Sequence, residues 1–491
     1  MDDVERRTAA LDNNLDNVLT AAGVRAIEQI KSVWPKLSAA TLSRVANAIP
    51  LLLGVLAFAS ICTAPGMIVL SVIVVLPAAF RIWVVTQSAA ILASRPASSS
   101  LLVPPSEKWW PMYTIVAPLR GEARIVNQLL AAIERLDYPP EKLDVILSIE
   151  ADDDDTRTAI TARNHRLPIT VIPSPPARLR TKPKALNVAL PFARGDFIVV
   201  YDAEDRPERN QLRRALQAFC SAGGDLACVQ ARLCTDTDTS WLSRYFSAEY
   251  AAQFDVFLPG LASLHLPLPL GGSSNHFRTA ALREVRGWDP HNVTEDADLG
   301  MRLARFGYRA DVIDSTTYEE APSTICAWLG QRSRWFKGWM QTWLVHLREP
   351  CQLFRDLRFR GFLTFQLIVG GNALVALAHP ALLLGFIWEV ALRPEDHSIA
   401  PQQYLPAAVF GYCTSAALGL LGLWQRGILH KASVLVLTPI HWLLLSAAAW
   451  CAAWELIFSP FRWRKTEHGL DTASREMDRI RALLETRATS H

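Results

Sequence analysis

The stretch D-F-I-V-V-Y-D-A-E-D, Asp196–Asp205, is the segment from which the fold can be read. A short apolar run rich in β-branched residues ends on three carboxylates, Asp202, Glu204 and Asp205, and then Arg206-Pro207. Similar runs lie on both sides: Y-T-I-V-A-P-L at 113–119, D-V-I-L-S-I-E at 144–150, I-T-V-I-P at 169–173 and L-A-C-V-Q-A-R-L at 226–233. Helical patterns separate them at Glu122–Leu136 and Arg209–Cys220. Strands alternating with helices predict an α/β domain with a parallel, Rossmann-like sheet. Such sheets bind ligands at the carboxyl ends of their strands, where these acids stand.

Outside this segment the chain changes character. From Ala46 to Ile91 it carries a single charge, Arg81, and one break at Thr63-Ala64-Pro65-Gly66. This predicts a helical hairpin whose arms can each span a hydrocarbon core of about 30 Å. Basic residues before and after it place both ends in the cytoplasm. A Ser- and Pro-rich linker, Ala93–Pro111, leads into the α/β segment. After Pro350 apolar runs return at about 361–391, 404–424 and 433–457, followed by a charged tail from Phe461. One crossing per run would leave that basic tail outside. The charge rule therefore asks for a tight hairpin broken at His379-Pro380, or for a last run partly re-entrant at Pro439. The expected organisation is a cytoplasmic lead-in at 1–45, a transmembrane hairpin at 46–92 and an α/β domain at 110–345. An interfacial segment at 346–360, a transmembrane region at 361–458 and a cytoplasmic tail at 459–491 follow.

Composition agrees with a mixed architecture. Half of the 491 residues are hydrophobic and a fifth are charged. That is too apolar for an ordinary soluble chain and too polar for membrane helices alone. With 50 basic and 47 acidic residues, no charge excess argues for nucleic acid. The opening M-D-D-V-E-R-R lacks the basic start and apolar core of a cleavable signal peptide. The eight cysteines form no C-x-x-C pair, which suits reduced structural thiols.

Four stretches carry chemistry. Asp202 and Glu204 offer hard oxygen ligands to a cation bridging a diphosphate, although acidic strand ends are also common in loops. Glu150 and Asp152 close the preceding strand, with Asp155 as a helix cap. Lys182 and Lys184 stand at a helix entrance, where cations and unpaired N–H groups suit a phosphate or merely balance nearby aspartates. Thr294-Glu295-Asp296 opens an amphipathic helix, which by itself fits an N-terminal cap. On a helix, Gln331, Arg334 and Trp335 share one face at i, i+3 and i+4. Trp339 and Trp343 on the same segment suit the membrane interface.

In this order the elements resemble the membrane-integrated family 2 glycosyltransferases, the cellulose, hyaluronan, chitin and curdlan synthase type. The matches are the acidic strand end, the D-x-D-like Asp202–Glu204, the T-E-D motif Thr294–Asp296 and Q-x-x-R-W, Gln331–Trp335. Pro118, Glu122, the K-x-x-x-L-N segment Lys182–Asn187 and the stretch Gly271–Arg278 extend the match. Phe461–Gly469 is similar to the W-x-K-T-x-H-G that follows the last helix in a bacterial subgroup.

The resemblance implies a GT-A catalytic domain inserted between transmembrane helices, working by inverting displacement on a UDP-sugar with Mg²⁺ or Mn²⁺. Asp296 would be the general base, with Glu295 and Arg334 beside it. Pro118, Glu122, Glu150, Asp152, Lys182, Asp202, Gln331 and Arg334 would bind the donor, and Asp202 and Glu204 the metal. Trp335, Asn275 and His276 would bind the acceptor, while Trp463, Lys465 and Thr466 would gate the site. A growing polysaccharide passing the inner membrane, with accessory export proteins, is the expected product. The alternative is a single transfer to a lipid-linked or glycolipid acceptor. Glu150 and Glu204 stand where most members carry aspartate, and the short tail has no room for a cyclic-dinucleotide-binding barrel.

Overall fold

The computed structural model describes residues 21, 23–94, 110–162, 165–175, 179–235, 238–322, 324–392 and 401–463. Its centre is an eight-stranded sheet of order β3-β2-β1-β4-β7-β6-β8-β5. The strands are β1 (Tyr113–Leu119), β2 (Leu143–Glu150), β3 (Ile169–Ser174), β4 (Phe197–Val200), β5 (Arg206–Pro207), β6 (Leu226–Thr235), β7 (Asn275–Arg278) and β8 (Arg309–Glu319). The first four pair in parallel, as the alternation of strands and helices predicts. The other half is mixed: β7 runs antiparallel between β4 and β6. The fold is the expected Rossmann-like α/β domain flanked by long apolar helices.

Alternation along the strands divides the core into two layers. Ile115, Val145, Leu147, Phe197 and Val199 face helices α3 (Val126–Glu134) and α6 (Gln211–Ser221). Val116, Ile146, Ile198 and Val200 face α5 (Lys182–Ala189), α7 (Trp241–Ala251) and α8 (Leu258–Ser263). That second layer continues into the apolar helices through Phe80, Val84 and Ile368. The sheet thus has one face covered by helices of its own domain and one face joined to the bundle.

The bundle begins with α1 (Arg44–Ala59) and α2 (Ala64–Ser94), the two arms expected from the sequence. At 16 residues α1 rises only about 24 Å, and a 3₁₀ turn at Ser60–Cys62 extends it. Between strands lie α4 (Asp154–Thr161), α9 (Thr279–Glu284) and α10 (Glu295–Arg305). The chain then forms α11 (Ile325–His346), α12 (Pro350–Phe365), α13 (Gly371–Leu392), α14 (Pro401–Gln425) and α15 (Thr438–Phe458). Among the described residues four segments are long and apolar enough to cross a membrane: Pro65–Ala93, Pro350–Trp388, Leu405–Gln425 and Leu429–Phe458.

One of the two topological expectations for the C-terminal region fails. Helix α13 runs unbroken through Pro380, so no hairpin turns at His379-Pro380. His379 instead bridges Tyr412 Oη (2.6 Å) and Ser446 Oγ (3.2 Å) across three helices. Pro439 sits in the first turn of α15, where its missing N–H costs nothing, after a 3₁₀ segment at Leu429–Leu437. Helix α15 lies along α11 in the same direction. Trp328 meets His441 at 5.3 Å, Lys337 meets Glu455 at 3.1 Å and Gln341 reaches the Pro460 carbonyl at 3.0 Å. Both ends of α15 stand beside the α/β domain, through Tyr245–Thr438 at one end and His291–Phe461 at the other. The described part of the lead-in is docked on that domain too: Ala39 N donates to Asp289 and Asn187 donates to the Ala26 carbonyl.

Candidate active site

A cavity of about 940 Å³ opens at the carboxyl ends of β1, β2 and β4. It collects residues from every predicted motif: Pro118, Glu122, Glu150, Lys182, Asp202, Glu204, Glu295, Asp296, Gln331, Arg334, Trp335 and Trp463. Each arrives by local logic. Strand β4 ends at Val200, and Tyr201 and Asp202 leave its mouth, where Asp202 N is held by Asp205. Glu295 and Asp296 occupy the first turn of α10, and Asp296 accepts from Ala297 N at 2.8 Å. Helix α11 is seated on that turn through Gly338, whose missing side chain leaves room for Thr294.

Charge defines the site. Asp202, Glu204, Glu295, Asp296 and Glu319 line one wall with Lys182 and Arg334. Lys182 is ion-paired to Asp202 and donates to the Gly272 carbonyl at 2.5 Å. Burial works against the lysine's charge, but Asp202, Glu295 and Asp296 outweigh it and raise its pKa. Burial pushes Glu295 up to about 8, with Asp296 adding repulsion and Lys182 and Arg334 opposing. Asp296 is also raised by burial, against the Ala297 N–H, Lys182 and Arg334. Glu204 is raised by burial and by the charges of Asp202 and Glu319. Glu319 reaches about 7 through burial and Asp202, opposed by its bond to Tyr250. Two buried atoms, Gln331 Oε1 and Arg334 Nε, have no hydrogen-bond partner. Buried polar atoms that face a cavity without a partner suit a ligand.

The donor set fits a divalent cation. The hard carboxylate oxygens of Asp202 and Glu204 stand together in the cavity wall, the charge of Glu204 opposed by burial, and Mg²⁺ is commonly held by one or two carboxylates plus substrate phosphates. Among the described residues no cluster of three or more ligands forms a ready cage.

Other predicted residues fall elsewhere. His276 lies in β7 on the far face of the sheet, bound to Tyr113 Oη (2.7 Å) and Gln211 Oε1 (3.2 Å) and wholly buried. It is a core residue and not an acceptor contact, because side chains alternate along the strand. Asn275 points to the other face and donates to the Gly271 carbonyl; it bounds the 271–273 loop without lining the cavity. Asp152 is exposed in an ion pair with Arg180, and Glu150 lines the cavity while paired with buried Lys184. Trp335 carries the Arg332 guanidinium on one ring face at 4.5 Å. Trp463 covers Arg334 at 4.7 Å, while Lys465 and Thr466 lie outside the described residues. Glu319 was missed, although the run T-T-Y-E-E-A-P at 316–322 shows the same acidic strand end as Asp202.

Away from the carboxylates the cavity enters the bundle. Trp339, Asn372, His379, Gly411, Thr414, Ser415 and Trp442 line it there. Past Val74 and His379, the side chains of Met67, Leu70, Ala381, Leu382 and Ala408 pack into an apolar cluster.

Two family descriptions match the chain: Glycosyl transferase family group 2 over residues 197–459 and Glycosyl transferase family 2 over 114–274. The β-monoglucosyldiacylglycerol synthase of Synechocystis sp. is 24% identical over 386 residues, covering 74% of this chain and 76% of that protein. The probable glycosyltransferase YdaM of Bacillus subtilis is 25% identical over 253 residues, covering 51% of this chain and 60% of its own length. Among solved structures, a mannosyltransferase from Pyrobaculum calidifontis in complex with GDP-Man and Mn²⁺ superposes with a TM-score of 0.48 at 22% identity, covering 76% of this chain and 98% of that one.

Proposed function

The chain belongs to glycosyl transferase family group 2, and from that premise we propose that it transfers a hexose, with inversion, from a UDP-sugar to a lipid-borne acceptor reaching the site from the bilayer. Glucose or an N-acetylhexosamine is the sugar favoured. One observation carries the acceptor class. The cavity that holds the carboxylates continues between α2, α13, α14 and α15 and stops against the Met67–Leu382 apolar cluster. A mixed polar and apolar pocket running from the carboxylates into the helix bundle suits an amphiphile whose hydroxyl meets Asp296 while its apolar part lies among the helices. The Synechocystis relative, a synthase of a glucosyl lipid by its name, supports the same reading.

In this mechanism the acceptor oxygen bonds to the anomeric carbon as the bond to the diphosphate breaks, and its proton passes to Asp296. Lys182 and Arg334 face the leaving diphosphate and offset its charge. A divalent cation held by Asp202 and Glu204 would add charge neutralisation at the same oxygens. Gln331 binds the donor through its unpartnered Oε1. Trp335 offers the acceptor the part of its ring that Arg332 leaves open. The catalytic domain then faces the cytoplasm of an inner-membrane protein with the segment boundaries given above.

A second reading, processive synthesis and export of a polysaccharide, is favoured by Gln331, Arg334 and Trp335 sharing one cavity. The experiment is product analysis in nanodiscs containing diacylglycerol, with UDP-glucose or UDP-N-acetylhexosamine and Mg²⁺ or Mn²⁺. A glycosylated lipid extractable into chloroform is expected, with none formed in EDTA. A water-soluble polymer made without any lipid acceptor would replace the first reading by the second. No UDP release from any UDP-sugar would remove the donor assignment.

A further inference from the structure

Helix α12 joins the catalytic domain to the bundle, and its two sides differ in an unusual way. Leu353, Leu357, Gly361 and Thr364 are buried, and Leu353 and Leu357 pack with Met301, Val369, Trp339 and Trp343. On the outer side stand Phe354, Arg355, Arg358, Phe359, Arg360 and Leu363, all exposed, with Phe359 65% accessible. The nearest acid in sequence, Asp356, is taken by Arg305 at 2.8 Å and by Gln352 at 2.6 Å. The outer side therefore carries three arginines and no opposing carboxylate of its own helix. At Arg358 the backbone leaves the helical region (φ 57°), which turns the segment where the cations and Phe359 project. After a π-helical turn at Gln366–Gly370 the chain becomes the apolar helix α13 at Gly371.

We propose that α12 is a binding surface for anionic phospholipid headgroups, with Arg355, Arg358 and Arg360 engaging phosphates and Phe354, Phe359 and Leu363 seated among the acyl chains below. Three facts carry this. Charge complementarity is one, since cations near a bilayer gain from acidic lipids within a Debye length. Apolar side chains interleaved with the cations are the second, because a soluble acidic partner would not need exposed phenylalanines, whereas a headgroup boundary accepts both. Continuity with α13 is the third: it fixes α12 at the bilayer surface. The proposal rests on membrane insertion of α13 and is independent of which acceptor is glycosylated.

The test uses the full chain in nanodiscs of equal phosphatidylglycerol and phosphatidylcholine, where insertion is constant and lipid choice is free. Native mass spectrometry then reads the lipids that remain bound. Phosphatidylglycerol should be enriched on the wild-type protein, with about fivefold lost for each arginine replaced. Arg355→Gln/Arg358→Gln/Arg360→Gln should abolish the preference, and the corresponding triple lysine variant should keep most of it. Monodispersity on size exclusion checks assembly without recourse to activity; should the triple glutamine variant fail it, the three single glutamine variants carry the comparison. Equal retention of the two lipids by the wild type, or an enrichment unchanged by the glutamine substitutions, overturns the proposal.

Discussion

At the scale of single residues the site is a contest between burial and pairing. Asp296 opens α10, whose dipole favours a carboxylate there, yet burial raises its pKa. A base tuned toward neutrality accepts a proton more readily than an exposed aspartate does. Asp296→Asn should keep UDP binding, measured by calorimetry, and lower turnover by about 10²-fold or more. Native turnover in that variant would leave Asp296 as a helix cap only. Glu295 makes a separate prediction about stability. Its folded pKa of about 8 lies above its ordinary value of 4.5. Between those values the folded state binds more protons than the unfolded one, so stability falls as pH rises through the window. The melting temperature of the ligand-free protein should decline from pH 5 to pH 8, and Glu295→Gln should flatten that decline. An identical slope in the variant would assign it to other groups. Carboxylates at strand ends were legible because the chain announces them by position. His276 was misplaced because a four-residue strand gives no periodicity from which its face could be read, and one position decides between cavity and core.

At the scale of elements, α11 organises the molecule. It presents Gln331 and Arg334 to the cavity, while Arg332 and Lys337 reach other partners. Arg332 pairs with Glu249 of α7 at 2.5 Å, and Lys337 pairs with Glu455 of α15 and donates to the Arg462 carbonyl at 2.9 Å. The cations of one helix thus tie the catalytic domain to α15. Gly338 fixes the spacing, since any side chain there would collide with Thr294 of the T-E-D motif. Gly338→Ala should force α11 from α10 at a cost of about 1–3 kcal/mol. Turnover should drop while the protein remains folded by circular dichroism. Unchanged turnover would show that the distance between Arg334 and Asp296 is not set by this contact. The Gln-Arg-Trp face was legible from helical spacing alone. The seating of α11 was not, because no pattern within one helix states which partner will cover its other face.

At the scale of the whole molecule the remaining question is which way each helix crosses. If α1 and α2, and likewise α13 and α14, cross in pairs, the chain returns to the catalytic side each time. Arg426, just past α14, meets Asp255 at 2.5 Å, and the 3₁₀ segment that follows places Lys431 3.3 Å from Ser247 of α7. Helix α15 then has both ends beside the α/β domain and runs with α11, and from this we predict that it lies in the plane of the interface although its composition would permit crossing. That is the re-entrant arrangement that the positive-inside rule allowed, and Phe461 and Trp463 would then stay with the catalytic domain they touch. Single cysteines in a cysteine-free background test it. His430→Cys and Arg462→Cys, on either side of α15, should both react with an impermeant maleimide in inverted vesicles and neither in sealed right-side-out vesicles. Thr63→Cys, exposed at the turn between α1 and α2, should show the opposite pattern. If His430→Cys and Arg462→Cys label from opposite sides, α15 crosses the bilayer.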